Sequence, residues 1–148
     1  PASRILTTYE MDNLSQFDAL VTNGQEELAS LSYIITMEFV QANGEHIEDI
    51  SKYYTEKLHK LKEKYPDTVE KIEGLGHLAS ICFNNVVAAV KFMETMGKTA
   101  IDVSAQTYKP KCPPAVLTKI PVISTREMVD YLTDNMDEAL KGFRDGGK

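Results

Sequence analysis

Proline is missing from residues 2–65, yet four of the six prolines fall between 110 and 121. Proline fixes φ and lacks an amide hydrogen, so it interrupts helices. A long proline-free stretch can be helical throughout, whereas a cluster of prolines cannot. The partition predicts a helical body over residues 1–108, an extended linker over 109–123 and a separate C-terminal element over 124–148. Pro110, Pro113, Pro114 and Pro121 hold the linker in polyproline-like geometry.

Within the body, apolar residues recur at steps of three and four. Phe17, Leu20 and Val21 open the series. Leu28, Leu31, Ile35 and Phe39 continue it, followed by Ile47, Ile50, Tyr54, Leu58 and Leu61. Val69, Ile72, Leu75, Ala79, Cys82, Val86, Ala89, Val90 and Met93 form a second series, and no strand-like alternation is read anywhere. Asn23-Gly24 and Asn43-Gly44 suit helix C-termini, because Asn and Gly tolerate the left-handed conformation that ends a helix. Glu45, Glu48 and Asp49 followed by Lys57, Lys60, Lys62 and Lys64 match the dipole of one helix between Gly44 and Tyr65-Pro66.

The spacing therefore predicts helices near 12–22, 25–42, 45–64 and 67–97, in an all-α antiparallel bundle of four to five helices. The rival is one long helix over 13–64 paired as a hairpin with 67–108, plus the C-terminal helix. A two-helix hairpin of that length has to oligomerise to bury its faces. The C-terminal helix is the best specified. Ser124 and Glu127 form a capping box ahead of an apolar stripe of Met128, Leu132, Met136, Leu140 and Phe143. So amphipathic a helix must cover something, and those five residues are the expected interface.

Bulk properties restrict the function. The 148 residues are 43% hydrophobic and 26% charged, enough apolar content for one core. A net charge of −6, with the three lysines of 109–123 as the one basic stretch, argues against nucleic acid, whose phosphates need a positive field. The longest apolar run, Ile81 to Met93, is broken by Asn84, Asn85 and Lys91, so no transmembrane segment is expected. Pro-Ala-Ser-Arg at the start has no apolar signal core, and a cytoplasmic location is the reading. Two cysteines make no disulfide framework.

Few residues carry chemistry. Glu56-x-x-His59, with Glu73 and His77 beyond the turn, has the spacing of carboxylate-bridged di-metal bundles. On helices, however, these four point away from the apolar stripes, so no metal is expected. His59-Lys60-Leu61-Lys62 resembles the phosphoacceptor string of histidine phosphotransfer domains, which makes His59 a candidate phosphoacceptor. The family's following Gly is Glu63 here. Phe17-Asp18-Ala19-Leu20-Val21 with Gln25-Glu26-Glu27-Leu28-Ala29 resembles the opening of phasins, which implies a coat on a granule or other peripheral apolar surface. Cys112, between Lys111 and Pro113, is a candidate reactive thiol, and Cys82 reads as core. Gly74-Leu75-Gly76 follows no predicted strand, so a nucleotide loop is rejected. With no reactive cluster, the expectation is a non-catalytic structural or interaction protein. It uses no cofactor and acts through a homo-oligomer or a protein partner.

Overall fold

The computed structural model describes residues 8–11, 27–108 and 111–145. The chain divides into two compact units, Pro1–Gly44 and Glu45–Lys148. In the first, a single 3₁₀ turn spans Tyr9–Met11 and a helix α1 spans Glu27–Ala42. The expected helix over 12–22 and its Asn23-Gly24 break lie outside the described residues. Glu27 and Glu38 are the only charges in the 16 residues of α1, and none of the 16 is buried. Leu28, Leu31, Ile34, Ile35 and Met37 are all exposed. The Ser32 hydroxyl donates to the Leu28 carbonyl at 2.9 Å and the Thr36 hydroxyl to the Ser32 carbonyl at 2.8 Å, so these polar groups are satisfied within the helix. Asn43 closes α1 by donating its backbone and side-chain N–H groups to the Phe39 carbonyl. The break at Asn43-Gly44 is present, and a continuous helix over 13–64 is not formed.

In the second unit, helix α2 occupies Gly44–Lys64 and buries Ile50, Tyr54, Leu58 and Leu61, the face the periodicity indicates. Beyond it the all-α expectation fails. Residues read as a helix over 67–97 form strand β1 (Val69–Leu75), strand β2 (Leu78–Phe83) and helix α3 (Val86–Lys98). Short strand β3 (Ser104–Gln106) follows. The segment read as a linker contains strand β4 (Ala115–Lys119), and helix α4 occupies Arg126–Asp145. The four strands make an antiparallel sheet in the order β1-β2-β4-β3, so the proline-flanked strand is an inner one.

Local chemistry explains the hairpin. Gly76 has φ +60 at the first position of the two-residue turn Gly76-His77, where a side chain would be strained. Gly74 has φ +108. A bulge between Val69 and Lys71 shifts the side-chain phase, which is why β1 reads at helical spacing. Helix α3 is capped by the Asn85 side chain, which accepts from the Ala88 amide at 2.9 Å. It ends in a left-handed Ala100, with Ile101 N–H on the Met96 carbonyl and Ala100 N–H on the Gly97 carbonyl.

One core holds the unit together. Ala79, Ile81, Phe83 and Val116 from the sheet meet Tyr54 and Leu58 of α2, Phe92 and Met96 of α3, and Val129, Met136 and Leu140 of α4. Phe83 and Phe92 pack with ring centroids 5.2 Å apart. The helices thus share one face of the sheet. On the opposite face the cross-strand rows are Lys71–Cys82–Ala115–Gln106 and Glu73–Ser80–Leu117–Ser104.

Candidate functional site

The polar groups of the second unit converge where β4 runs into α4. Thr118 of β4 is buried, and its hydroxyl donates to the Ala79 carbonyl at 3.1 Å. The Tyr54 hydroxyl, 2.5 Å away, must therefore donate to Thr118 Oγ1, giving a one-way relay from α2 through β4 to β2. Burial pushes the Tyr54 phenol up to about 12, so it is a fixed donor at neutral pH. Beside Thr118 lies a concavity of about 170 Å³, walled by Ile101, Val103, Ile120, Pro121, Met128 and Leu132, with Asp102 and Lys119 also on its lining.

The segment from Ile120 to Ser124 is held at both ends. The His46 ring Nε2–H donates to the Ser124 carbonyl at 3.0 Å, and the Ile120 amide donates to the His77 carbonyl at 3.0 Å. Helix α4 starts one residue later than a Ser124 cap implies. Thr125 Oγ1 accepts from the Met128 amide, while Ser124 turns its hydroxyl onto the Pro121 carbonyl.

Helices α2 and α4 are fastened by a polar seam. Arg126 grips both oxygens of Asp49, and Tyr53 and Lys57 both reach Asp130 Oδ1, at 2.6 and 2.7 Å. Lys64 and Tyr65 converge on Asp137. The hydrogen bond from Lys57 holds the Asp130 carboxyl below its usual range, aided by Tyr53. At Asp137 burial acts in the raising direction, but the bonds from Lys64, Tyr65 and Lys141 outweigh it and the carboxyl lies low. These are largely solvated pairs, screened by water, so they set register more than stability.

The residues singled out in the sequence are dispersed. Of the expected interface, Met136 and Leu140 are buried in the unit's own core, Leu132 and Phe143 pack partly against it, and Met128 is exposed beside the concavity. His59 is exposed on α2, apart from the features above. Glu73 is engaged by Lys71, and His77 by Ser51. Among the described residues no three His, Cys, Asp or Glu side chains come together as a metal site. No helix among them is long and apolar enough to cross a membrane. The residues that matter at the β4–α4 corner, His46, Ser51, Tyr54, His77 and Thr118, carry no sequence motif. They meet only through the fold.

The cysteines differ sharply. Cys112 is exposed, whereas Cys82 is 1% exposed, and burial with the neighbouring Glu73 carboxylate pushes its thiol up. A thiol-reactive chromophore should titrate one thiol per native chain, lost in Cys112→Ser, and two in denaturant. Rapid reaction of both thiols in the native chain would show Cys82 to be accessible.

No family model matches the chain, and no curated protein matches it. Solved structures do. Lysine aminotransferase from M. tuberculosis in the internal aldimine form has a TM-score of 0.61 at 19% identity, over 71% of this chain and 23% of that one. A transaminase from the marine bacterium Virgibacillus gives 0.66 at 18%, over 80% and 28%. Acetylornithine aminotransferase from Elizabethkingia anophelis gives 0.65 at 19%, over 83% and 34%. The chain spans about a quarter to a third of the length of these proteins. At such identities the likeness is one of fold. The mixed α/β fold shared with these proteins overturns the all-α reading, and with it the non-catalytic function built on a helical bundle and its phasin-like and His59 phosphotransfer alternatives.

Proposed function

We propose that the chain forms the small α/β domain of an aminotransferase-type enzyme, one that moves a primary amino group between carbon skeletons. The observation that carries this reading is the β1-β2-β4-β3 sheet with its helices on one face, in a chain of which 71–83% is matched by the neighbours' fold. The printed names of two neighbours, a lysine and an acetylornithine aminotransferase, suggest primary amines of amino acids as the substrate class. Two free cysteines suit a reducing, cytoplasmic setting.

Helix α1 adds support. A helix this rich in exposed apolar residues, with the Ser32 and Thr36 hydroxyls turned onto its own backbone, is built to be covered. The 83% match is longer than residues 45–148, so the likeness reaches into residues 1–44, in a chain more than twice as long. The missing cover is then the larger body of such an enzyme.

An internal aldimine is a Schiff base between a protein lysine and a carbonyl cofactor, which in such enzymes is pyridoxal phosphate acting as an electron sink. The residues described here do not fit that group by themselves. Lys52, Lys57, Lys64, Lys71 and Lys141 are committed to carboxylates, and Lys119 is the one amine on the concavity beside β4, whose walls are otherwise mostly apolar. The domain's own contribution is a rigid sheet with a braced β4–α4 corner.

The test is amino transfer by the protein in the assembly purified from its own cells. It is supplied with pyridoxal phosphate, with lysine or acetylornithine as donor, and with a 2-oxo acid as acceptor. A new amino acid should form well above the rate of pyridoxal phosphate alone. Absence of transfer from every primary-amine donor overturns the proposal.

A further inference from the structure

The β1–β2 turn is seated on α2 by one side-chain contact. Ser51 Oγ and His77 Nδ1 share a hydrogen bond of 2.8 Å, and a Cβ on Gly76 would come within 3.1 Å of Ser51 Oγ, so the turn lies close against the helix. The other ring nitrogen, His77 Nε2, is buried with no protein partner. A neutral imidazole tolerates this, because with Nδ1–H on Ser51 the free nitrogen is only an unfilled acceptor. A protonated imidazole carries N–H on both nitrogens and would bury a charged donor facing nothing.

No counter-charge is on hand. From α2 the titratable group whose field reaches His77 is His46, an imidazole that never supplies a negative charge. Asp49, also on α2, is gripped by Arg126 and acts on His46 instead. From the sheet, Lys119 is the register partner of Leu78 and brings no negative charge.

We propose that the Ser51–His77 contact is a proton-operated latch, in which neutral His77 seats the β1–β2 turn on α2 and protonated His77 releases it. Because the His77 carbonyl also holds Ile120, release loosens the start of the β4–α4 segment and the wall of the concavity beside it. Acid therefore acts on the corner that the two histidines brace, independently of any amino-transfer activity.

The direction of the pH dependence is fixed. Burial, with His46, holds the His77 imidazole below the usual 6.5, so the unfolded chain binds the proton more readily. The latch is at full strength above 6.5 and is lost as pH falls from there through the folded value.

The test is amide hydrogen exchange and histidine NMR titration on the full chain between pH 7.5 and about 4.5. After correction for intrinsic exchange rates, the amides of Leu78 and Ile120 should exchange at least about tenfold faster once His77 is protonated. His77→Gln, which stays neutral, should show no such step. Ser51→Ala should exchange fast at these amides already at neutral pH. Two results overturn the latch: an unchanged step in His77→Gln, or wild-type Leu78 and Ile120 amides indifferent to His77 protonation.

Discussion

Replacing Gly74 with alanine should destabilise the second unit by about 2–4 kcal/mol, combining a strained positive φ with overpacking against backbone. Gly74 sits at φ +108, and a Cβ there would lie 2.3 Å from the Leu78 carbonyl oxygen and 2.7 Å from the Ala79 Cα. Both are backbone atoms of the paired strand and have no rotamer to swing aside. Relief requires β1 to part from β2 at its Gly74–Ala79 pair. Gly142→Ala is the control, since nothing lies within 4 Å of the added methyl in α4. That change should stabilise by up to about 1 kcal/mol through helix propensity. Urea unfolding of the two variants should give midpoints displaced in opposite directions. Equal midpoints would mean that residues 69–83 are not a hairpin.

Phe92→Ala should cost about 3–5 kcal/mol, the range for emptying a buried aromatic site. Phe92 is 0% exposed on α3 and packs on Phe83, so its loss opens a void between the helix layer and the middle of the sheet. Since whole domains are stable by about 5–15 kcal/mol, this single change consumes a large share of the margin. Val87→Ala on the same helix is the contrast: Val87 is 75% exposed, and its truncation should shift stability by no more than about 0.5 kcal/mol. Thermal unfolding followed by circular dichroism separates the two. A Phe92→Ala transition as high as that of Val87→Ala would remove α3 from the core.

The helices were legible because their signals are local. The acidic-to-basic order of 45–64 and its four-residue apolar steps gave α2 within one residue of Gly44–Lys64, and the stripe from Met128 to Phe143 marked α4. The strands were not, for identifiable reasons. Ala79, Ile81 and Phe83 do alternate, but Val69, Ile72, Leu75, Ala79 and Cys82 also fall at helical steps, because the bulge after Val69 shifts the phase of β1. The sign against a helix was Gly74-x-Gly76, two positive-φ glycines two residues apart. In β4 the rule that prolines exclude helix was sound, yet it does not exclude a strand fitted between Pro114 and Pro121. The polar Thr118 on its inward face further concealed the alternation. His77 was set aside as solvated because a helix would have turned it outward. Only the reversal at Gly76 brings it to Ser51.

The functional proposal stands on the sheet, and in particular on β4 as an inner strand rather than a linker. Amide hydrogen exchange of residues 116–118 in the full chain reads this directly. Paired in register with Ala79–Ile81 on one side and Ser104–Ala105 on the other, these residues should contain amides among the slowest to exchange, opening only with unfolding of the whole unit. Exchange throughout 116–118 at the rate of an unstructured peptide would contradict the sheet, and the aminotransferase-type reading with it.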